Sequence, residues 1–330
     1  MTVHAPAVGA LLGSHLSPSE LPALARVAER SGFDELWVTE DLWYSSAMVM
    51  AGALLSATET IPVGIGIVSA VTRHASIQAL DFGTLERLYP GRVRPGIGLG
   101  LPAWLDQMDL RPRSMLGAVR ETVEIVRGLL AGEVVDREGV HVARGISLEH
   151  PPPAPPPIYV AATGERSLRQ AGEIADGIVL SVLAGSTYVR WARDLVDAGA
   201  ESAGRPRPRV VTFAFCAVDD DPAKARAAMR PVVGFSLTVG SNPMTQVQGI
   251  DDEVCALLAQ GADHLCEAMP DAWIDELSVC GTPDDCAARI KQLCEAGTDS
   301  VILMPASADV ARETLARVSA DVLPRLRGRA

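Results

Sequence analysis

The chain has 330 residues, 48% hydrophobic and 21% charged, which is enough apolar matter for a sizeable core and excludes a disordered protein. With 29 Lys and Arg against 41 Asp and Glu the formal net charge is -12, the opposite of a nucleic-acid binder's balance, and 4% aromatic residues leave little for base stacking. No stretch approaches the roughly 20 uncharged apolar residues of a membrane span, and residues 1–10 lack the basic start of an export signal, so a cytoplasmic protein without membrane or nucleic-acid partners is expected.

In chain order, short β-like runs alternate with amphipathic helical runs. Residues 8–13 read as a strand. Ser17-Pro18-Ser19-Glu20 then reads as a helix start, with Ser17 as cap and Glu20 closing a capping box. Leu21, Leu24, Ala25 and Ala28 share one face of that helix, and Gly32 stops it. Strands are expected at 33–40, 61–69 and 93–100, with helices near 46–57, 77–88 and 114–131. Over 133–148 the period changes to two around Arg137-Glu138-Gly139, a hairpin inserted between units. The run from Pro151 to Pro157 fits neither helix nor central strand and reads as a rigid surface crossover. The alternation resumes with strands at 158–162, 177–183, 210–218 and 300–304, and helices at 165–174 and 187–200. A helical excursion occupies 221–280, Thr282-Pro283-Asp284-Asp285 caps a helix that ends at Gly297, and a last helix covers 308–326.

Eight strands alternating with helices imply parallel β-α units. A closed barrel and an open doubly wound sheet compete. Repetition over the whole chain without a compositional break favours a single (β/α)8 TIM barrel over 1–330, with insertions at 133–148 and 221–280. In such a barrel the chemistry lies at the C-terminal strand ends. These hold Ser14-His15, Glu40-Asp41, Ser69, Arg73-His74, the stretch from Gly98 to Trp104, that from Ala161 to Gly164, and Met304-Pro305. Glu40 and Asp41 are adjacent, so on a strand only one of them faces the mouth, and the alternative for the pair is a helix cap. The six cysteines form no C-x-x-C and match no zinc spacing; they read as small apolar residues buried on helices, and no metal is expected.

Gly96-Ile97-Gly98-Leu99-Gly100-Leu101 has leucine where a dinucleotide fingerprint needs its third glycine. Gly98 and Gly100 read instead as a strand end approached closely by a flat ligand, or as tight packing between barrel strands. Ala161, Ala162, Thr163 and Gly164 are small residues running into a helix, which suits an anion held by backbone N–H groups or an ordinary strand-to-helix turn.

The run from Ala28 to Val38 resembles the first unit of the bacterial luciferase-like flavin and deazaflavin oxidoreductases. Arg73, Thr84-Leu85, Tyr89-Pro90-Gly91-Arg92-Val93 and Gly96-Ile97-Gly98-Leu99-Gly100 continue the pattern, as do Tyr159 to Gly164, Ala171 to Gly177, Gly281-Thr282-Pro283 and Glu295-Ala296-Gly297. The stretch from Ala161 to Gly177 is most similar to the methylenetetrahydromethanopterin reductase-like branch, which uses coenzyme F420. The resemblance implies a flat ring over the strand ends and a cis peptide between Gly66 and Ile67 behind it. It brings Ser69 and Asp41 to the ring's polar edge, sets the backbone of Ala161, Ala162, Thr163 and Gly164 against the cofactor tail, and implies a homodimer.

Two departures bear on substrate. Glu40-Asp41 stands where the branch's sugar-phosphate dehydrogenases have Asp-His, and Leu101 stands where the branch has an acid, which points away from glucose 6-phosphate and methanopterin. The apolar loop from Leu101 to Leu105 points to a small hydrophobic substrate. The leading expectation is hydride transfer with F420, with Asp41, then Glu40, and His15 handling the proton. A monooxygenase using FMN from a separate reductase is the alternative, and a non-catalytic flavin-binding barrel the third.

Overall fold

Runs such as Ala7–Leu11 and Gly177–Leu180 are apolar on both faces, as strands covered by helices outside and side chains inside must be. The computed structural model describes residues 6–328. Residues 1–5, half of the N-terminal stretch considered above, lie outside it. The strands are β1 (Ala7–Leu11), β2 (Glu35–Val38), β3 (Val63–Ile65 continued by Val68–Ser69), β4 (Val93–Arg94 continued by Gly96–Gly98), β5 (Tyr159–Ala161), β6 (Gly177–Leu180), β7 (Arg209–Val218) and β8 (Ser300–Pro305). Each pairs in parallel with the next. β8 returns to β1, with Ala7 opposite Ser300. The split strands complete the ring: the first halves of β3 and β4 pair, and so do the second halves. An eight-stranded barrel results, and the open sheet is excluded.

Several boundaries differ from the sequence reading, each for a local reason. The run 61–69 breaks between Ile65 and Val68, where the Gly66–Ile67 peptide is cis. β4 is interrupted at Pro95, which has no N–H for the ladder, and ends at Gly98 rather than Gly100. β6 ends at Leu180, and the chain turns through Leu183 at φ +70. No capping box forms at Ser17. The helix there starts at Leu21, and Ser17 to Glu20 make a separate turn. Pro22 explains the delay, since it cannot bond to the Pro18 carbonyl and its ring would clash there. Thr282 does cap the helix Pro283–Glu295, with Asp285 returning the bond at 3.0 Å. The last helix is divided into Ala311–Arg317, a wider π turn at Val318–Val322, and Leu323–Arg327, because Pro324 lacks the N–H for an ordinary turn.

Both insertions leave the ring intact. In the hairpin, Val135–Arg137 pairs antiparallel with Ala143–Ile146 around a longer turn than Arg137-Glu138-Gly139. It lies along the helix Met115–Leu130, where the Glu121 carboxylate accepts the N–H groups of Val140 and His141 at 3.1 and 2.6 Å. The His141 ring reaches the carbonyl of Ala70, just beyond β3, at 2.7 Å. The helical excursion has its own apolar core, with Met229, Val233, Leu265 and Ile274 fully buried, continuous with Leu183 and Phe215 beside the barrel. The cysteines are all free. Cys216 and Cys280 are buried on strands rather than helices, and Cys255 is exposed. Burial pushes the Cys286 and Cys294 thiols up to about 12, which leaves them protonated and inert.

Inside the barrel, Trp37 is fully buried and meets Tyr159 and Phe213 edge-on, with ring centroids 5.3 and 5.6 Å away. At the base, the buried Glu35 carboxylate accepts from Trp37 Nε1 at 3.0 Å, from Arg209 at 3.0 and 2.7 Å, and from Ser300 Oγ. Burial raises the Glu35 pKa, but the hydrogen bond and charge of Arg209 outweigh it and hold the carboxyl below the ordinary range. Its stabilising contribution is therefore complete above that range and is lost as pH falls through it. Glu35→Gln, which removes the charge opposite a guanidinium that is one third exposed, is expected to cost about 1.5–3 kcal/mol in urea denaturation at neutral pH. The gap between variant and parent should narrow in acid; a neutral-pH cost below about 1 kcal/mol would count against this assignment.

Candidate active site

The mouth at the C-terminal strand ends has one polar side and one apolar side. On the polar side, the strand ending at Val38 delivers Thr39, Glu40 and Asp41 in succession, and the two carboxylates diverge. Glu40 is almost enclosed and forms a bidentate pair with Arg73, at 2.5 and 2.7 Å, and its Oε2 also accepts the Ala47 N–H at 3.3 Å where the helix Ala47–Ala57 begins. The Glu40 hydrogen bond raises the Arg73 pKa, so the guanidinium stays charged. With both oxygens engaged, Glu40 holds β2 to the segment after β3 and is poorly placed to carry a proton. Glu40 is not the N-cap of that helix, which is Ser46; it is first the partner of Arg73 and only touches the Ala47 N–H.

Asp41 lies on the other side. Its Oδ2 accepts from the Ser14 hydroxyl, just beyond β1, and from Thr39 Oγ1 at 2.9 Å. Thr39 Oγ1 in turn accepts the Ser14 N–H at 3.1 Å. His15 is next in the chain; burial lowers its ring pKa and the Asp41 charge partly restores it. Its Nε2 is enclosed with no partner among the described residues, as is Thr72 Oγ1 after β3. Asp41, Ser14 and His15 thus meet at one place, and Glu40 turns away from it.

Ser69 is buried and donates to the Leu99 carbonyl at 2.8 Å, which ties β3 to β4 and leaves its hydroxyl committed within the barrel wall. Gly98 supports the packing alternative, because a Cβ there would lie 3.0 Å from the Ile67 side chain and 3.3 Å from Ala161. Gly100 is required by its φ of +76. Gly66 faces inward, where a Cβ would stand 2.5 Å from Phe213, and the half-exposed Ile67 leans over Gly98.

At the end of β5 the half-buried Ala161 opens the rim, and Ala162 just beyond it is buried. The Thr163 carbonyl accepts from the Tyr188 hydroxyl at 2.7 Å, so its backbone is held by a buried ring. Gly164 precedes the helix Glu165–Ile174; its own N–H is held by the Ser167 hydroxyl at 3.1 Å, and among the described residues no side chain takes the N–H groups of the first turn. Arg166 is exposed, and Arg169 is paired with Glu165. The opposite rim is apolar: Val182, Leu183, Phe215 and Met304 join the core of the helical excursion to the barrel interior. Leu101 is 51% exposed at the start of the helix Pro102–Gln107.

Ser14 was visible only as a residue at a strand end and Arg73 as that and as part of the family pattern; their partners emerged from the fold. Trp43 carried no sequence signal. It adopts φ +74 in the turn after Asp41, and its exposed indole N–H donates to Gln107 across the rim at 3.0 Å.

Residues 1–300 match the family described as luciferase-like monooxygenase. Among curated proteins, the chain is 31% identical over 286 residues to a 5,10-methylenetetrahydromethanopterin reductase of Methanolobus tindarius, covering 84% of this chain and 87% of that one. It is 29% identical over 342 residues to an F420-dependent glucose-6-phosphate dehydrogenase of Beutenbergia cavernae, covering 95% of both. The solved coenzyme F420-dependent tetrahydromethanopterin reductase of Methanopyrus kandleri superposes with a TM-score of 0.85 at 25% identity, over 98% of this chain and 100% of that one. Barrel, rim and sequence therefore agree, and the chain belongs to the luciferase-like monooxygenase family.

Proposed function

We propose that this protein is an oxidoreductase that transfers a hydride between coenzyme F420 and a small organic substrate with an apolar face. The observation that carries the reading is the placement, on the rim of one barrel, of an Asp41 hydrogen-bonding cluster and of a helix start where Ser167 holds the Gly164 N–H but the N–H groups of Glu165, Arg166 and Ser167 take no side-chain partner among the described residues. That combination fits a flat ring with a polar edge and a phosphate-bearing tail. The F420-dependent relative at 29% identity and the coenzyme F420-dependent reductase that superposes at 25% identity support it. Bound F420 supplies the hydride-carrying carbon.

The chain's own residues supply the remainder. Ile67 and Ala161 offer a floor for the ring. Backbone N–H groups after Gly164 receive the phosphate, which matters in a chain whose net charge of -12 gives no general attraction for anions. Asp41 and His15 are the groups poised to manage a proton, and Val182, Leu183, Phe215 and Met304 exclude water on the substrate side. Fluorescence titration of the apo-protein should give saturable F420 binding and weaker FMN binding. Tight FMN binding with no F420 binding would transfer the reading to a monooxygenase supplied by a separate flavin reductase.

The same reading includes a homodimer. The helix Ala47–Ala57 has no charged residue and packs beside Ala75–Leu88, Gly52 facing Leu85. Outward they expose Val49, Ile77, Leu80 and Leu88, at 73, 48, 51 and 63%. A helix apolar all round needs cover, and a second copy of this face supplies it symmetrically. Light scattering behind size exclusion should give twice the chain mass for the parent and one chain mass for Leu80→Asp; a monomeric parent would refute the dimer.

A further inference from the structure

The two oxygens of Asp41 are not equivalent. Oδ2 accepts both hydroxyls, Ser14 and Thr39, and the Ser14 N–H to Thr39 Oγ1 closes the cluster at 3.1 Å. Because Thr39 Oγ1 accepts that N–H, its own proton is directed to Asp41. Oδ1 takes no hydrogen bond among the described residues and is not enclosed. Two donors on one oxygen fix the carboxylate plane and leave the other oxygen as the free acceptor.

We propose that Ser14 and Thr39 are positioning residues that present Asp41 Oδ1 as a hydrogen-bond acceptor to an N–H of the bound ring. The inference rests on the F420 reading of the mouth. At the polar edge Asp41 thus accepts and orients.

A double-mutant cycle on F420 affinity tests this without turnover. Ser14→Ala and Thr39→Val should each weaken binding about threefold to tenfold, the range expected for one lost hydrogen bond. Thr39→Ser, which keeps the hydroxyl, should restore it. In an Asp41→Asn background, Ser14→Ala should change affinity by less than about twofold, because the acceptor it serves has already been altered. Apo-protein melting curves identify any variant that has simply lost its fold, and Thr39→Ser then serves as the conservative comparison. Additive losses, or unchanged affinity in both single variants, would overturn the positioning role. A parent that binds FMN but not F420 would overturn the cofactor assignment alone, and the same cycle run with FMN then decides the positioning role. A parent that binds neither ring overturns both.

Discussion

A fully buried indole lies across the barrel, and the strands around it are shaped to its outline. A Cβ on Gly64 would come within 2.2 Å of Trp37, and one on Gly66 would stand 3.2 Å from it and 2.5 Å from Phe213. Both positions of β3 therefore lack side chains where the aromatic cluster needs the space. The indole N–H is held from below by Glu35, which Arg209 neutralises, so one side chain connects the ion pair at the base to the kinked strand at the rim. Ile67, the first residue past the kink, then leans across Gly98 of the neighbouring strand. The floor of the mouth is in this sense the upper surface of the core.

Much of this architecture was legible in the pattern of residues. Alternating apolar runs, glycines after helices and the Thr282–Asp285 capping box depend on contacts a few residues apart, and they appear where the pattern puts them. What could not be read depends on contacts far apart in the chain. Glu40 looks like a catalytic acid beside Asp41 until Arg73, 33 residues away, takes both its oxygens. Ser69 looks available until the Leu99 carbonyl takes its hydroxyl. Ser17 failed as a cap for a nearer reason, since Pro22 forbids the helix that Pro18 would begin. The partners of Ser14 had no signature in sequence because they are brought to it only by the ring of strands.

The rim itself is divided in chemistry as well as in sequence. Hydroxyls, a carboxylate and an imidazole come from the ends of β1 and β2, whereas the far rim from β6 to β8 carries Val182, Leu183, Phe215 and Met304. The apolar half is continuous with the core of the helical excursion, so the excursion both covers the barrel and builds one wall of the mouth. A planar ligand between these halves would meet hydrogen-bonding groups along one edge and close packing along the other.

The outer hairpin carries a different implication. Its strands pair only with each other, yet His141 reaches over to the Ala70 carbonyl, one residue past the end of β3. A segment peripheral by topology is thereby part of the rim by mechanics. Sequence drift in that hairpin, where the barrel imposes no pairing, reaches the mouth without altering a residue inside it.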